Sequence, residues 1–223
     1  MAALIRVVPA IGLLVLFFLF GVSGAAAESD FEYWGEYSLE GSITEKFSAL
    51  VASKYRYNED AKEHYYTSTE IELDYEATDR LEMDVGYKEV FRRKNSIWRQ
   101  ENRLYTQVAL NGNLDGWKIK NRIRAERLEK EEETAHYRFR NKLTIKTPWQ
   151  WTSREISPFV ADEIFIEVDE GEGFNENRFY AGVGVKLIRA LWLNLSYLYK
   201  IEAKNRQWSE RVNAVVTELA AKF

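Results

Sequence analysis

The stretch YYTSTEIELDYEATDRLEMDVGYKEVF, residues 65–91, decides the fold, because apolar and polar residues alternate along it. Up to a turn at residues 78–80, one face carries Tyr65, Thr67, Thr69, Ile71, Leu73, Tyr75 and Ala77, and the other carries Ser68, Glu70, Glu72, Asp74 and Glu76. A period of two predicts β-strands, since successive side chains leave opposite faces of the pleat. A row of acids cannot pack into a dry core. One face must therefore meet water or counter-charges, and the other an apolar environment.

The first 27 residues have the pattern of a secretory signal peptide. A short segment with Arg6 precedes an apolar run over residues 7–22, and small residues follow, ending in Ala25-Ala26-Ala27. This order predicts cleavage after Ala27. An uncleaved N-terminal anchor helix is the alternative. The chain has no Cys, which excludes a lipid-anchored lipoprotein, a disulfide framework and thiol catalysis.

Composition and length narrow the function classes further. The 31 basic and 35 acidic residues give a formal net charge of −4, which predicts no nucleic-acid partner. After the signal the residue pattern is uniform and no linker rich in Pro, Gly or Ser divides the chain, which predicts one domain. Downstream of the signal, no apolar run approaches the roughly 20 residues that a membrane helix needs. Any membrane role must therefore be carried by strands.

The same alternation recurs up to the C-terminus, and its connections fall into two alternating classes, one tight and one longer and charged. Transmembrane β-barrels have short periplasmic turns and longer external loops. The sequence therefore predicts an all-β fold, a single antiparallel transmembrane β-barrel of 10–12 strands over residues 47–223. The expected count is even, as is usual for bacterial barrels. Residues 28–46 form an N-terminal segment that is an extra strand, half of a further hairpin or an insert into the lumen.

The last residue, Phe223, ends an alternating strand. A terminal Phe in this position resembles the assembly signal of outer-membrane barrels. It predicts the bacterial outer membrane as the location, with the barrel assembly machinery, membrane lipid and lipopolysaccharide as partners. The sequence leaves the oligomeric state open.

Several segments of the second half resemble an uncharacterised outer-membrane β-barrel family known as domain of unknown function 2490. They are NRIRAER (121–127), YRFRNKL (137–143), SPFVADEIFIE (157–167), GFNENRFYAGVGVKL (173–187) and LWLNLSYLYK (191–200). The resemblance implies the barrel and the outer-membrane location but no activity. The family usually has a His at the start of its final strand, where this chain has Arg211-Val212, so no role of that His is carried over.

With the apolar faces outward, the inward face of the barrel is heavily charged. The expected lumen network consists of the acids Glu70, Glu72, Asp74, Glu82 and Asp84 and the bases Arg99, Arg103, Lys118, Lys120, Arg122, Arg124, Arg138, Arg140 and Lys142. One interpretation is a structural network of ion pairs that fills a narrow barrel. The other is a small porin-like channel or pocket whose basic wall favours anions.

An outer-membrane, lipid-modifying enzyme is the alternative from a different class. Such an enzyme needs a His that activates a nucleophile or water at the rim or in the lumen. After the signal, the chain offers only His64 and His136, and neither has a Ser at an informative spacing. The acidic segment 162–176 lacks the ligand spacing of a known Ca²⁺ loop. We therefore predict no enzymatic activity, no catalytic residue, no metal site and no cofactor.

Overall fold

The computed structural model describes residues 30–130, 133–152, 154–168, 173–204 and 207–223. The signal peptide predicted over residues 1–27 lies outside these ranges. The described residues form eleven strands: β1 (Asp30–Ser42), β2 (Phe47–Asn58), β3 (Glu63–Thr78), β4 (Leu81–Lys94), β5 (Ile97–Leu114), β6 (Trp117–Lys130), β7 (His136–Lys146), β8 (Ser157–Glu167), β9 (Gly173–Ile188), β10 (Leu191–Lys204) and β11 (Gln207–Lys222). They include no helix that could cross a membrane.

The strands close into one barrel, which confirms the expected all-β barrel fold. Each strand pairs with its neighbours in sequence in antiparallel fashion, and β1 closes the barrel against β11. This closing pair is parallel, running from Asp30 beside Val212 to Glu40 beside Lys222. The expectation of an even, wholly antiparallel barrel is therefore wrong. An odd number of strands makes the first and last strands run in the same direction, so their seam has to be parallel.

Strand β1 occupies most of the N-terminal segment for which the sequence left three arrangements open. It lies in the wall, where it pairs with β2 over Tyr33–Ser42 and with β11 on its other side. Because β1 is a wall strand, the wall begins at Asp30 rather than at Phe47.

We call the end of the barrel that carries the β2–β3, β4–β5, β6–β7, β8–β9 and β10–β11 connections the upper end, and the opposite end the lower end. The expected sorting of connections by length is wrong. The β4–β5 connection at the upper end is only residues 95–96, whereas the longest connection, residues 147–156, is at the lower end. Charged residues continue the strands beyond the alternating apolar segments, which shortens the upper loops.

Alternation assigns the faces correctly along most of the β3–β4 hairpin. Ile71 and Leu73 are exposed on the outside, whereas Glu70 and Lys88 are buried inside. The expectation for Tyr65 is wrong. This residue was expected on the outer face, but its hydroxyl donates a hydrogen bond of 2.7 Å to the buried Glu32. The β2–β3 register shifts between Arg56 and Tyr57. Such a bulge places an extra residue in one strand and reverses the expected face beyond it.

The strand β8 resolves a second ambiguity of the sequence, the adjacent pair Asp162 and Glu163. Glu163 is buried inside the barrel, and Asp162 is exposed on the outer wall, where it accepts a hydrogen bond of 3.0 Å from the Asn177 side chain. No register shift lies next to this pair, since the shift between β8 and β9 falls at Phe165 and Ile166. Asp162 is thus a carboxylate on an otherwise largely apolar outer face.

The strands are strongly staggered around the barrel. A line of directly paired residues climbs from the lower end of β8 to the upper end of β6 through Ser157, Gly184, Asn194, Glu218, Glu36, Lys54, Ser68, Val90, Glu101 and Lys130. Strand tilt and stagger are linked in closed barrels. As a consequence, side chains of strands that are not neighbours meet at one height in the lumen.

The interior has an apolar and a charged side. Trp34, Ala161, Tyr180, Leu198, Ala214 and Val216 form a buried apolar cluster on β1 and β8–β11. The inward side chains of β3–β7 are mostly charged, and this side holds the candidate site.

Candidate functional site

A layer of side chains around Arg124 lies at mid-height on the charged side of the lumen. The Arg124 guanidinium, on β6, lies 3.0 Å from the Glu70 carboxylate and 3.3 Å from that of Glu72, both on β3. Strands β4 and β5 lie between β6 and β3 in the wall, so Arg124 reaches across part of the lumen. The side chains of Arg124 and Glu70 are only 6% and 5% exposed. The layer is therefore closed to solvent around this pair.

Residues of β5 and β4 complete this layer. The ring of Tyr105 lies under the Arg124 guanidinium at 3.8 Å, and its hydroxyl is within hydrogen-bonding distance of both Glu70 and Glu72. Lys88 contributes an ion pair of 3.2 Å to Glu70. Every charge of the layer thus has a partner of opposite sign or a hydrogen bond, which is the condition for burying charge.

A second group of ion pairs lies beside and above this layer. Glu126 accepts hydrogen bonds from Arg138 and Arg140 at 2.8 Å each. Arg140 also donates to Glu163 at 2.7 Å, and Arg122 lies 3.1 Å from the same carboxylate. Arg124 is 3.9 Å from Glu126 and links the two groups. The buried network is therefore continuous from β3 to β8.

Below the layer, the lumen wall is acidic. The carboxylates of Glu72, Asp74 and Asp84 lie within 4.8 Å of one another, a spacing that a metal ion could bridge. Two of these carboxylates already accept hydrogen bonds from protein side chains: Gln107 donates to Asp84, and Ser48 donates to Asp74 at 3.3 Å. The cluster therefore has a structural explanation without an ion.

The remaining residues of the expected network are placed as follows. Glu82 and Lys120 form an ion pair of 2.5 Å near the lower end. Arg103 pairs with Glu101, and Lys142 lies with its Nζ 4.3 Å from the centre of the Tyr180 ring. Arg99 and Lys118 are exposed near the upper and lower ends of their strands and join no ion pair of the described residues.

Several members of the network were not predicted from the sequence, namely Lys54, which lies 3.7 Å from Glu70, and Lys88, Tyr105, Gln107, Glu126 and Glu163. For the first five the alternation carries the signal, because each lies on the inward face of its strand. Glu163 was ambiguous because of its neighbour Asp162. The pairing of Arg124 with Glu70 depends on the stagger of the strands. No local sequence pattern predicts this stagger.

A cavity of about 300 Å³ in the upper part of the lumen is lined in part by the second group of ion pairs, including Arg138, Arg140 and Glu163. Its lining contains Arg56, Arg92, Lys142 and the aromatic residues Trp34 and Tyr66, among others. We call it the upper cavity. The Arg124 layer separates it from the acidic wall of β3 and β4 below, so the two halves of the lumen differ in charge.

The two His residues lie at different places on the upper rim. The ring of His64 packs among Tyr57 and Trp98, with centroid distances of 5.1 and 5.2 Å, and its Nε2 is 3.0 Å from the Tyr66 carbonyl oxygen. His136 lines the upper cavity 3.6 Å from Glu133. A hydrogen bond from Lys130 holds the pKa of the Glu133 carboxyl below its usual range, with a smaller contribution from His136.

The terminal Phe223 lies at the lower end with its side chain 77% exposed. Its backbone N–H donates to the Glu40 carbonyl at 3.0 Å, and its carbonyl accepts from the Ser42 N–H at 3.1 Å. The last residue thus extends the parallel seam while its ring stays free for contacts outside the barrel.

Comparisons with known proteins give a family and a solved structure of similar fold. The sequence model of the family described as "Protein of unknown function (DUF2490)" matches residues 31–211, which confirms the family resemblance. No curated protein matches the chain. Among solved structures, LpxR from Salmonella typhimurium is similar over 90% of this chain and 92% of its own, with a TM-score of 0.52 and 10% identity. The siderophore receptor PirA from Pseudomonas aeruginosa is similar over 75% of this chain and 36% of its own, with a TM-score of 0.28 and 12% identity.

Proposed function

Because this chain belongs to the family described as "Protein of unknown function (DUF2490)", we propose that it is an outer-membrane β-barrel with a structural role and a lumen closed at mid-height. The charged side chains of the lumen stabilise one another across the barrel instead of lining an open pore. Passage through the lumen requires the Arg124 layer to rearrange, and any such passage favours anions on the upper side.

The observation that carries this proposal is the contact of Arg124 with Glu70 and Glu72 across two intervening strands. A pore wall keeps its charges on separate strands and hydrated, so that ions can exchange their water for wall groups. Here the charges bind one another and are nearly inaccessible to solvent. This arrangement favours a filled lumen, which is common in narrow barrels.

The outer wall supports the membrane location. Ile71, Leu73, Val85, Leu104 and Ile123 are 42–55% exposed on the outside of β3–β6. A continuous exposed apolar surface of this kind is typical of a membrane or protein interface. In a bilayer the partners of the wall are lipid and lipopolysaccharide, and the exposed Phe223 ring is available to the barrel assembly machinery.

The proposal contains no catalytic step. His64 is held in an aromatic group on the outside, and His136 adjoins the Lys130–Glu133 pair at the rim. The described contacts of the two His residues are with aromatic rings, the Tyr66 carbonyl and Glu133, whereas the lipid-modifying alternative needs a His-activated hydroxyl. An acyl profile of the membrane lipids that changes on deletion of the gene, and that depends on either His, would favour the enzyme.

Conductance in planar bilayers tests the closed lumen. We expect the purified protein to give no steady current, and an Arg124→Ala/Tyr105→Ala variant to give discrete current steps. The variant Arg127→Ala is the control, because Arg127 is exposed and pairs with Glu129. Steady conductance of the unaltered protein would contradict the proposal. Recovery from a soluble periplasmic fraction instead of an outer-membrane fraction would overturn the membrane location.

A further inference from the structure

We propose that the upper cavity is a binding site for a small, soluble organic or inorganic oxyanion with at least two negative charges, of the phosphate or polycarboxylate class. The site goes beyond the closed barrel, because it requires the folded upper lumen and not a conducting one. Its evidence is the charge balance of the cavity and three cations that lack an anionic partner.

The charge of the upper cavity is positive. Twelve Lys or Arg residues and seven Glu residues line it. Four further carboxylates touch lining residues from just outside: Glu32 accepts from Trp34 and Tyr65, Glu70 binds Lys88, Glu126 binds Arg138 and Arg140, and Glu133 binds Lys130. With these four added to the seven in the lining, the twelve bases still outnumber the acids by one. A cavity with an excess of one sign attracts ligands of the other.

The excess is located on particular residues. No carboxylate of the described residues lies within ion-pair distance of Arg56, Arg92 or Lys142. In addition, the Nε of Arg140 is buried and has no hydrogen-bond acceptor. A buried donor without an acceptor, such as this Nε, is uncommon in folded proteins and calls for an explanation. An anion in the cavity supplies the missing acceptors.

Aromatic rings hold two of these cations in place. The guanidinium of Arg56 lies 3.6 Å from the ring centre of Trp34 and 4.3 Å from that of Tyr66. The Nζ of Lys142 lies 4.3 Å from the ring centre of Tyr180. Such cation–π contacts fix the position of a charge without neutralising it. A stacked guanidinium also keeps its N–H groups at the edge of its plane, where they can bind a carboxylate or phosphate in bidentate fashion.

The size and shape of the cavity limit the ligand. A volume of about 300 Å³ is at the lower end of the range for small-molecule sites. The cavity is open at the upper end and bounded below by the Arg124 layer. It therefore suits a small solute from the aqueous phase better than the acyl part of a lipid. Several separate cations favour a ligand with more than one anionic group.

Calorimetric titration of the full chain in detergent tests the site, with pyrophosphate and citrate as probes at an ionic strength held constant with NaCl. We expect both probes to bind, and Arg56→Gln or Lys142→Gln to weaken binding at least tenfold. Arg127→Gln is the matched control: it also removes one positive charge, but from an exposed pair with Glu129 outside the cavity. It should bind the probes as the unaltered protein does.

Two results would overturn the proposal. The first is that neither probe binds. The second is that Arg127→Gln weakens probe binding as much as Arg56→Gln does, which would indicate non-specific attraction. Protection from thermal unfolding by phosphatidylglycerol vesicles, but not by the soluble probes, would assign the site to a lipid headgroup instead. If Arg56→Gln fails to fold, Arg92→Gln takes its place, because Arg92 is exposed at the cavity. Conductance is read separately, so an open pore would refute the closed lumen without affecting this result.

Discussion

A side chain at Gly86 would overlap the ring of Tyr105, because a Cβ placed on Gly86 falls against the Cζ and hydroxyl oxygen of the phenol. Gly86 lies on the inward face of β4, directly beside Tyr105 in the register. The absence of a side chain lets the ring lie across the neighbouring strand. In this position the ring supports Arg124 from below and reaches Glu70 and Glu72.

The first prediction follows from this contact. Gly86→Ala should displace Tyr105 and lower the unfolding free energy by about 1–3 kcal/mol, as overpacking of a filled interior does. Urea unfolding in micelles, followed by tryptophan fluorescence, measures the change. Gly41→Ala is the control, because a Cβ there meets nothing within 4 Å. Equal stability of the two variants would contradict the close packing of Tyr105.

Removal of the central guanidinium should be costly. Arg124→Met leaves the buried carboxylates of Glu70 and Glu72 without their partner, and loss of one member of a buried pair typically costs about 3–5 kcal/mol. Adding Glu70→Gln should recover part of this loss, because it removes one of the uncompensated charges. A double-mutant cycle on the unfolding free energy measures the coupling. Additive losses would show that the two residues do not interact.

Neighbouring residues of β3 test the face assignment. Leu73→Arg should impair assembly and cost about 2–4 kcal/mol if Leu73 faces the middle of a bilayer. Glu72→Gln should leave the fold intact, since the amide still offers an oxygen to Tyr105 and Arg124. Heat-modifiable mobility on gels reports the folded fraction of each variant. If both variants assembled equally well, the assignment of the outer face would be wrong.

Adjacent residues of β8 give a second test of the faces. Asp162→Leu should be tolerated, because it replaces an exposed outer carboxylate by an apolar group and gives up one hydrogen bond to Asn177. Glu163→Leu should reduce assembly strongly, because Arg122 and Arg140 lose their shared partner inside. The comparison uses the folded fraction in the membrane. A reversed order of the two variants would place Glu163 outside.

Cysteine pairs test the parallel seam, and the chain has no Cys of its own. Leu39 faces Ala221 in the β1–β11 register, so Leu39→Cys/Ala221→Cys should form a disulfide on oxidation. The control Leu39→Cys/Thr217→Cys should not, because Thr217 faces Gly35, four residues away along β1. A disulfide needs Cα atoms about 4.4–6.8 Å apart. Crosslinking of the control but not of the test pair would rule out this register.

Much of the wall could be predicted from the sequence, because strand alternation is a local property. The outward Ile71 and Leu73 and the inward Glu70 and Glu72 follow from it directly. The face of Tyr65 does not follow from alternation, because it depends on a bulge in the pairing of β3 with β2. The sequence of neither strand shows this bulge by itself. Asp162 and Glu163 have the same limitation, because two adjacent charges fit either face.

The closure and the contacts across the lumen are not local. Strand β1 pairs with β11 from the other end of the chain, so its place depends on the total number of strands. In the same way, Arg124 meets Glu70 only because the strands are staggered. The composition of the inward faces predicts a charged lumen, but which charges pair depends on the tilt. This is why both charged walls can be predicted from the sequence, whereas the layer that joins them cannot.

The parallel seam also limits how the chain can be rewired. In a wholly antiparallel barrel the first strand begins beside the end of the last, and a short turn can join them into a circular permutant. Here β1 begins at the upper end, whereas β11 finishes at the lower end. A joining linker would have to return along the whole wall, roughly 40 Å for the 13 residues of β1 at about 3.3 Å per residue. Tags attached before β1 and after β11 should accordingly become accessible at opposite ends of the barrel.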